Sequence, residues 1–358
     1  MNRLGHRPAL DGLRGVAILL VILGHLFSTP RGGGLGVDVF FVLSGFLITT
    51  LLLEEREATG TIDLRAFFRR RALRLLPALV LMLATCSVVA LGGWAAGRLS
   101  GHDLLRQLGG IALGLTYTTN VARAWFHASP AFAFRHLWSL AQEEQFYLLW
   151  PGLLLGVYAV RRSPRALAGV LAAIAIAIAA YEAALASVVA GGEPLHRMWF
   201  NPLAHGESLV LGCLAAVVFV YRLAPPVPAW AVAPALGVAV AVMVLLDDTV
   251  RAVWYVLPAF GIAVALLLLR ALDARTWTAR ALSDVRLREV GRVSYGLYLW
   301  HWPVLHVVMW PIGLPLTFLV AAVSYEYVEK PFLRRRHRSG QREGALHPLP
   351  ALASARAQ

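Results

Sequence analysis

Apolar residues run along this chain in stretches of about twenty, separated by short polar breaks. Wound as helices, stretches of that length match the hydrocarbon thickness of a bilayer. They predict spans at roughly 9–28, 35–53, 76–96, 137–160, 166–190, 203–221, 230–246, 254–270, 293–311 and 314–330. One further apolar stretch, 107–122, is short and carries Thr116, Tyr117, Thr118, Thr119 and Asn120. The pattern predicts an all-α, polytopic membrane helical bundle. It would have about ten transmembrane helices plus one short re-entrant or interfacial segment. Residues 1–332 form the membrane-embedded domain in this reading, and 333–358 a basic, disordered cytoplasmic tail.

Charge sets the orientation. Only 15% of the residues are charged, against about 25% in soluble domains. The formal net charge is +13, from 33 Lys and Arg against 20 Asp and Glu. With ten crossings and both termini in the cytoplasm, 26 of those 33 cations fall on the cytoplasmic side and 7 outside. That bias follows the positive-inside rule and removes the nucleic-acid reading that the charge alone invites. A full crossing by 107–122 would invert every later loop, so this segment is expected to dip in or lie at the outer surface. Backbone of that kind needs cover from protein or a water cavity, so it is expected to help line a site opening outward. Cys86 and Cys213 lie in apolar runs, with neither a disulfide framework nor metal spacing, and read as packing residues. The first span lacks a small-x-small cleavage site and is not read as a signal peptide. No internal repeat is evident, so an inverted-repeat transporter gains no direct support.

Ionisable residues within the spans point to chemistry, because they are costly there. Arg14 and His25 bracket the first apolar run. Eleven residues turn a helix by about 1100°, three turns plus about 20°, so both side chains share one face, about 16 Å apart. His25 ends the first span and Asp38 begins the second, so a short loop should bring them to similar depth. A His braced by a carboxylate is a general base; the plainer reading is a tie between two helices. The glycines at 32, 33, 34 and 36 suit a tight turn rather than a dinucleotide site. Ser44 and Gly45 read as close helix packing. Arg69, Arg70, Arg71 and Arg74 precede the third span, as a lipid anchor or as a phosphate clamp.

The stretch 135–151 is the most polar within a span, with His136, Ser139, Gln142, Glu143, Glu144 and Gln145. Neighbours on a helix differ by about 100°, so one of Glu143 and Glu144 is expected to face a cavity while the other pairs or reaches the interface. A Ser139 triad has nothing to orient it. Ser294, Tyr295, Tyr298 and His301 occupy the ninth span, where His301 reads as a hydrogen-bonded structural histidine. Glu329–Lys330 reads as an interfacial ion pair, and Glu326 lies deeper. His205 and Glu207 open the sixth span.

Taken together these motifs resemble the integral-membrane acyltransferase family 3, which O-acylates saccharides and some secondary metabolites. The resemblance runs from about residue 7 to 336. It rests on Arg14 and His25 in ALDGLRGVAILLVILGH, on GVDVFFVLSGFLI, on RRALRLLP with Arg71, Arg74 and Pro77, on HLWSLAQEEQFYLLWP with Glu143, on SYGLYLWHWPV and on SYEYVEKPF. Gln142 departs from the commoner Val and makes the helix start more polar. The resemblance implies an enzyme of the cytoplasmic membrane. It would move an acyl group, most often acetyl, from cytoplasmic acyl-CoA to a hydroxyl reached from the opposite side, without a metal.

The implied roles are as follows. Arg14, Arg71 and Arg74 would hold CoA phosphates. His25, braced by Asp38, would deprotonate the acceptor or carry the acyl group briefly. Glu143, with Ser139, would orient the acceptor, and His136, His301 and Tyr298 would complete its binding. The expected acceptor is a cell-envelope saccharide or lipid-linked sugar, with a macrolide-like metabolite as the alternative. Some relatives carry a fused extracytoplasmic esterase-like domain, which this chain is expected to lack. Membrane lipids and, for delivery, a separate extracytoplasmic transferase are the expected partners. A transporter or flippase is the reading from another class; the arginine cluster coupled to a His on one helical face favours the enzyme.

Overall fold

Where no water reaches, every backbone N–H and C=O must be satisfied within the chain, and a helix does this locally. The computed structural model describes residues 2–26, 35–126, 132–160, 163–188, 198–234, 237 and 250–334. Among them the secondary structure is helical, without a strand. The helices are α1 (Pro8–Leu26), α2 (Leu35–Thr59), α3 (Leu64–Ala95), α4 (Gly101–Leu115), α5 (Thr119–Trp125), α6 (Leu137–Val160), α7 (Pro164–Val188), α8 (Gly206–Tyr221), α9 (Val250–Ala271), α10 (Trp277–Leu282), α11 (Val285–Arg292), α12 (Ser294–Val307) and α13 (Trp310–Ser324). A π-helical turn, Tyr325–Glu329, continues α13.

Six described helices are long and apolar enough to cross a membrane: α1, α2, α3, α7, the Trp254–Ala271 part of α9, and the continuous helix Trp310–Arg334. This is fewer than the ten expected. Helix α6 has the length, at 24 residues, but carries Glu143 and Glu144; α8 and α12 are shorter, at 16 and 14 residues. Most of the expected span 230–246, and the tail from 335, lie outside the described residues. The segment 107–122 is not one helix. It breaks between α4 and α5, where Tyr117 takes a φ of 53°.

Two close crossings fix how the central helices are rotated. Gly45 of α2 faces the Leu209 carbonyl of α8, and Gly212 of α8 faces the Val42 carbonyl of α2. Small residues let the two backbones touch, and packing of this kind drives helix association where lipid removes the hydrophobic incentive. Gly12 and Gly15 of α1 likewise meet backbone of Leu282 and Leu287, and Gly291 of α11 meets the Asp11 carbonyl. Arg14 lies about 200° round the helix from Gly12, so pressing the glycine face on α10 and α11 turns the arginine the other way, into the bundle.

Candidate functional site

The arginine ends of α1 and α3 meet the middle of α2, the first half of α6 and the first turns of α12 around a cavity of about 230 Å³. Its polar walls come from Arg14, Ser44, Arg71, Arg74, Ser139, Glu143, Glu144, Tyr147, Ser294, Tyr295 and Tyr298. Arg71 donates to Glu144 at 2.9 Å, and both side chains are largely buried. The Arg71 guanidinium also lies over the Tyr147 ring, 3.2 Å from its centroid. One oxygen of Glu143 accepts from both Ser44 and Tyr147. The Glu143 carboxylate therefore ties α6 to α2, and the Arg71–Glu144 pair beside it ties α6 to α3 and gives each buried charge its partner.

At its other end the cavity meets a bar. The hydroxyls of Ser139 and Tyr298 hydrogen-bond at 2.6 Å, and Tyr298 also donates to the His136 carbonyl. Beyond the bar lie three imidazoles. The ring of His301 is 5.2 Å from that of His25 and 5.3 Å from that of His136. Trp302 packs edge-on against His25 at 4.7 Å. His301 donates from Nδ1 to the Tyr298 carbonyl at 2.7 Å, which fixes its tautomer and leaves Nε2 as an acceptor. His136 and His301 are buried, whereas His25 is exposed at the end of α1. The eleven-residue spacing does what its geometry implies. Arg14 meets the Ser294–Tyr298 part of α12 at the cavity, and His25 meets His301 and Trp302 one to two turns further along the same helix.

Asp38 is not where the sequence placed it. It does not bond to His25; it accepts from His205 Nδ1 at 3.0 Å and from Ser208 at 3.2 Å, and its second oxygen has no hydrogen-bond partner. Helix rotation is the reason. Gly36 faces α1, where an added Cβ would come within 2.5 Å of the Ala17 carbonyl oxygen. Asp38 is about 200° round from Gly36 and within about 20° of the Gly45 face, so it points to α8. His205, enclosed by Trp199 and Trp254 at 4.7 and 5.4 Å, belongs with Asp38, Glu182 and Glu207 to a buried polar cluster apart from the cavity.

Other expectations change as well. Both Glu143 and Glu144 line the cavity, because long side chains absorb the 100° between them. Arg71 is committed to Glu144 rather than matched with Arg74. Ser44 lines the cavity instead of merely packing, while Gly45 packs as expected. Gln142 is buried and ties α6 to the carbonyls of Pro202 and Ala204, which gives its polarity a structural use. Lys330 pairs with Glu326, not Glu329, which the π-helical turn carries into the bundle. The cavity takes no lining residue from 107–122; Asn120 of that stretch is tied to Gln145 of α6. Sequence reasoning missed Ser44 and Tyr147, and a hydroxyl at mid-span and a tyrosine one turn after Glu143 were the available signals.

A helical bundle with apolar spans, holding arginines and carboxylates around one internal cavity, defines a membrane protein with a buried polar site of the kind that carries function. Residues 7–325 match a family model described as an acyltransferase domain, that of acyltransferase family 3. The chain belongs to this family. It is 31% identical to the peptidoglycan O-acetyltransferase OatA of Listeria monocytogenes, over 90% of this chain and 55% of the relative. It is 33% identical to a Bacillus subtilis protein named "Putative peptidoglycan O-acetyltransferase YrhL", over 96% of this chain and 57% of the relative. The chain thus spans a little over half the length of these curated relatives. No solved structure matches it.

Proposed function

We propose that this protein moves an acetyl group from acyl-CoA, bound at the arginine end, to a hydroxyl of a cell-envelope saccharide or lipid-linked sugar at the histidine end. The observation that carries this reading is the continuous polar line from Arg14, Arg71 and Arg74, past Glu143 and the Ser139–Tyr298 bar, to His136, His301 and His25. In this reading the arginine end faces the cytoplasm, where acyl-CoA is made. Arg14 and Arg74 take the CoA phosphates, and Arg71, already paired, holds the carboxylates in place. The relatives' names favour peptidoglycan among envelope saccharides.

Overall, a C–O bond forms between the acceptor oxygen and the acyl carbon, the C–S bond breaks, and the acceptor proton is balanced by the one that CoA takes up as a thiol. His25, exposed beyond the bar, removes that proton or carries the acyl group in between. Its neighbour His301 presents an unpartnered Nε2. Glu143, Ser139 and Tyr298 orient the reacting groups. Asp38 has no part at His25.

The test is release of CoA thiol from acetyl-CoA by protein reconstituted in lipid, with and without saccharide acceptors, beside the His25→Ala variant. Wild type should release thiol and acetylate the acceptor. His25→Ala should lose about 100-fold or more while eluting as wild type on size exclusion. Full activity in His25→Ala removes His25 from the mechanism, and movement of intact acceptor across the bilayer without thiol release returns the chain to transport.

A further inference from the structure

Tyr147 sits where the two polar motifs of the cavity meet, and it serves each with a different part of its side chain. Its hydroxyl donates to the Glu143 oxygen that Ser44 also contacts. Its ring face carries the Arg71 guanidinium, and Arg71 in turn holds Glu144. The residue is only 3% exposed and lies on the cavity wall. Helix geometry permits the double use, since Tyr147 stands four residues after Glu143 and three after Glu144, on one face of α6. A second tie brings in the neighbouring helix. Trp150, three residues further on, is buried and donates to Thr49 of α2 at 2.8 Å, which holds this part of α6 against the helix that supplies Ser44.

Arg71 is in direct contact with Glu144, whereas Tyr147 stands between Arg71 and Glu143. The pairing is selective. Arg71 is bonded to Glu144, while Glu143 accepts two neutral hydroxyls and stays available on the cavity side. We propose that Tyr147 is the positioning residue of the transfer site: its hydroxyl sets the reactive placement of Glu143, and its ring sets the placement of Arg71 at the donor end. The proposal rests on the acyl-CoA reading above and adds a separable prediction to it.

The separation comes from two substitutions. Tyr147→Phe keeps the ring face and removes the hydroxyl; Tyr147→Leu removes both. Turnover, the KM for acetyl-CoA and calorimetric binding of CoA are measured on each in lipid nanodiscs, beside wild type. Tyr147→Phe should lose about tenfold or more in kcat with the acetyl-CoA KM and CoA affinity unchanged. Tyr147→Leu should show the same loss and also bind CoA about fivefold more weakly. A merely structural tyrosine would move both constants together, in step with thermal stability. Wild-type kcat in Tyr147→Phe overturns the proposal, as does equal weakening of CoA binding in both variants. Tyr147→Phe alone carries the test if Tyr147→Leu does not fold. If wild type neither binds CoA nor releases thiol, the donor reading itself fails, which is a different result from a silent Tyr147→Phe beside an active wild type.

Discussion

The Arg71–Glu144 pair shows how a single residue can be legible by type and illegible by partner. An arginine before a span is expected to meet phosphate, and this one is tied to a carboxylate and a ring. Burying one member of such a pair alone is costly, at about 3–5 kcal/mol. Arg71→Ala should therefore lower the thermal unfolding temperature in detergent, because it strands Glu144. Adding Glu144→Gln should recover most of the loss. With Arg14 and Arg74 as the phosphate ligands, the double variant should weaken CoA binding by no more than about the fivefold expected of Tyr147→Leu, and calorimetry reads that directly. Equal destabilisation in the single and double variants would show that the ion pair is not what holds the arginine.

At the scale of elements, crossings of glycine on backbone decide which side chains meet. A Cβ at Gly45 collides with the Leu209 carbonyl of α8, which cannot swing aside as a side-chain tip could. Gly45→Ala should cost about 1–3 kcal/mol through overpacking, and the shift of α8 should disturb the Asp38–His205 bond with it. Gly152, on an open part of α6 with nothing within 4 Å of an added Cβ, supplies the control. Gly152→Ala should be neutral or gain up to about 1 kcal/mol from helix propensity. Thermal unfolding of both variants in one detergent decides it; equal effects would mean that the α2–α8 crossing is looser than its geometry.

At the scale of the whole molecule, the six long apolar helices mark a membrane protein, and the charge pattern predicts its orientation. Cysteine labelling tests the orientation, with Cys86→Ser and Cys213→Ala as background. A cysteine at Ala58, exposed at the end of α2, should react only with reagent on the cytoplasmic side. A cysteine at Trp125, exposed at the end of α5, should react only from outside. The reverse pattern would place the arginine end of the cavity away from acyl-CoA. Both sites reacting from the same side would overturn the crossing order between α2 and α5.

The all-helical class, the apolar spans, the family and most of the residues that line the polar track are legible along the chain before it folds. Those properties follow from composition, run length and motif spacing, and a helix fixes the angle between its own residues whatever surrounds it. Arg14 and His25 meet the same neighbouring helix for that reason. Tertiary structure alone decided partners. Asp38 went to His205, Arg71 to Glu144, Ser44 and Tyr147 to Glu143, and Lys330 to Glu326. A partner depends on how each helix is rotated about its axis, and that rotation is set by which small-residue face finds which backbone. No single helix carries that information, so it exists only once the helices have packed.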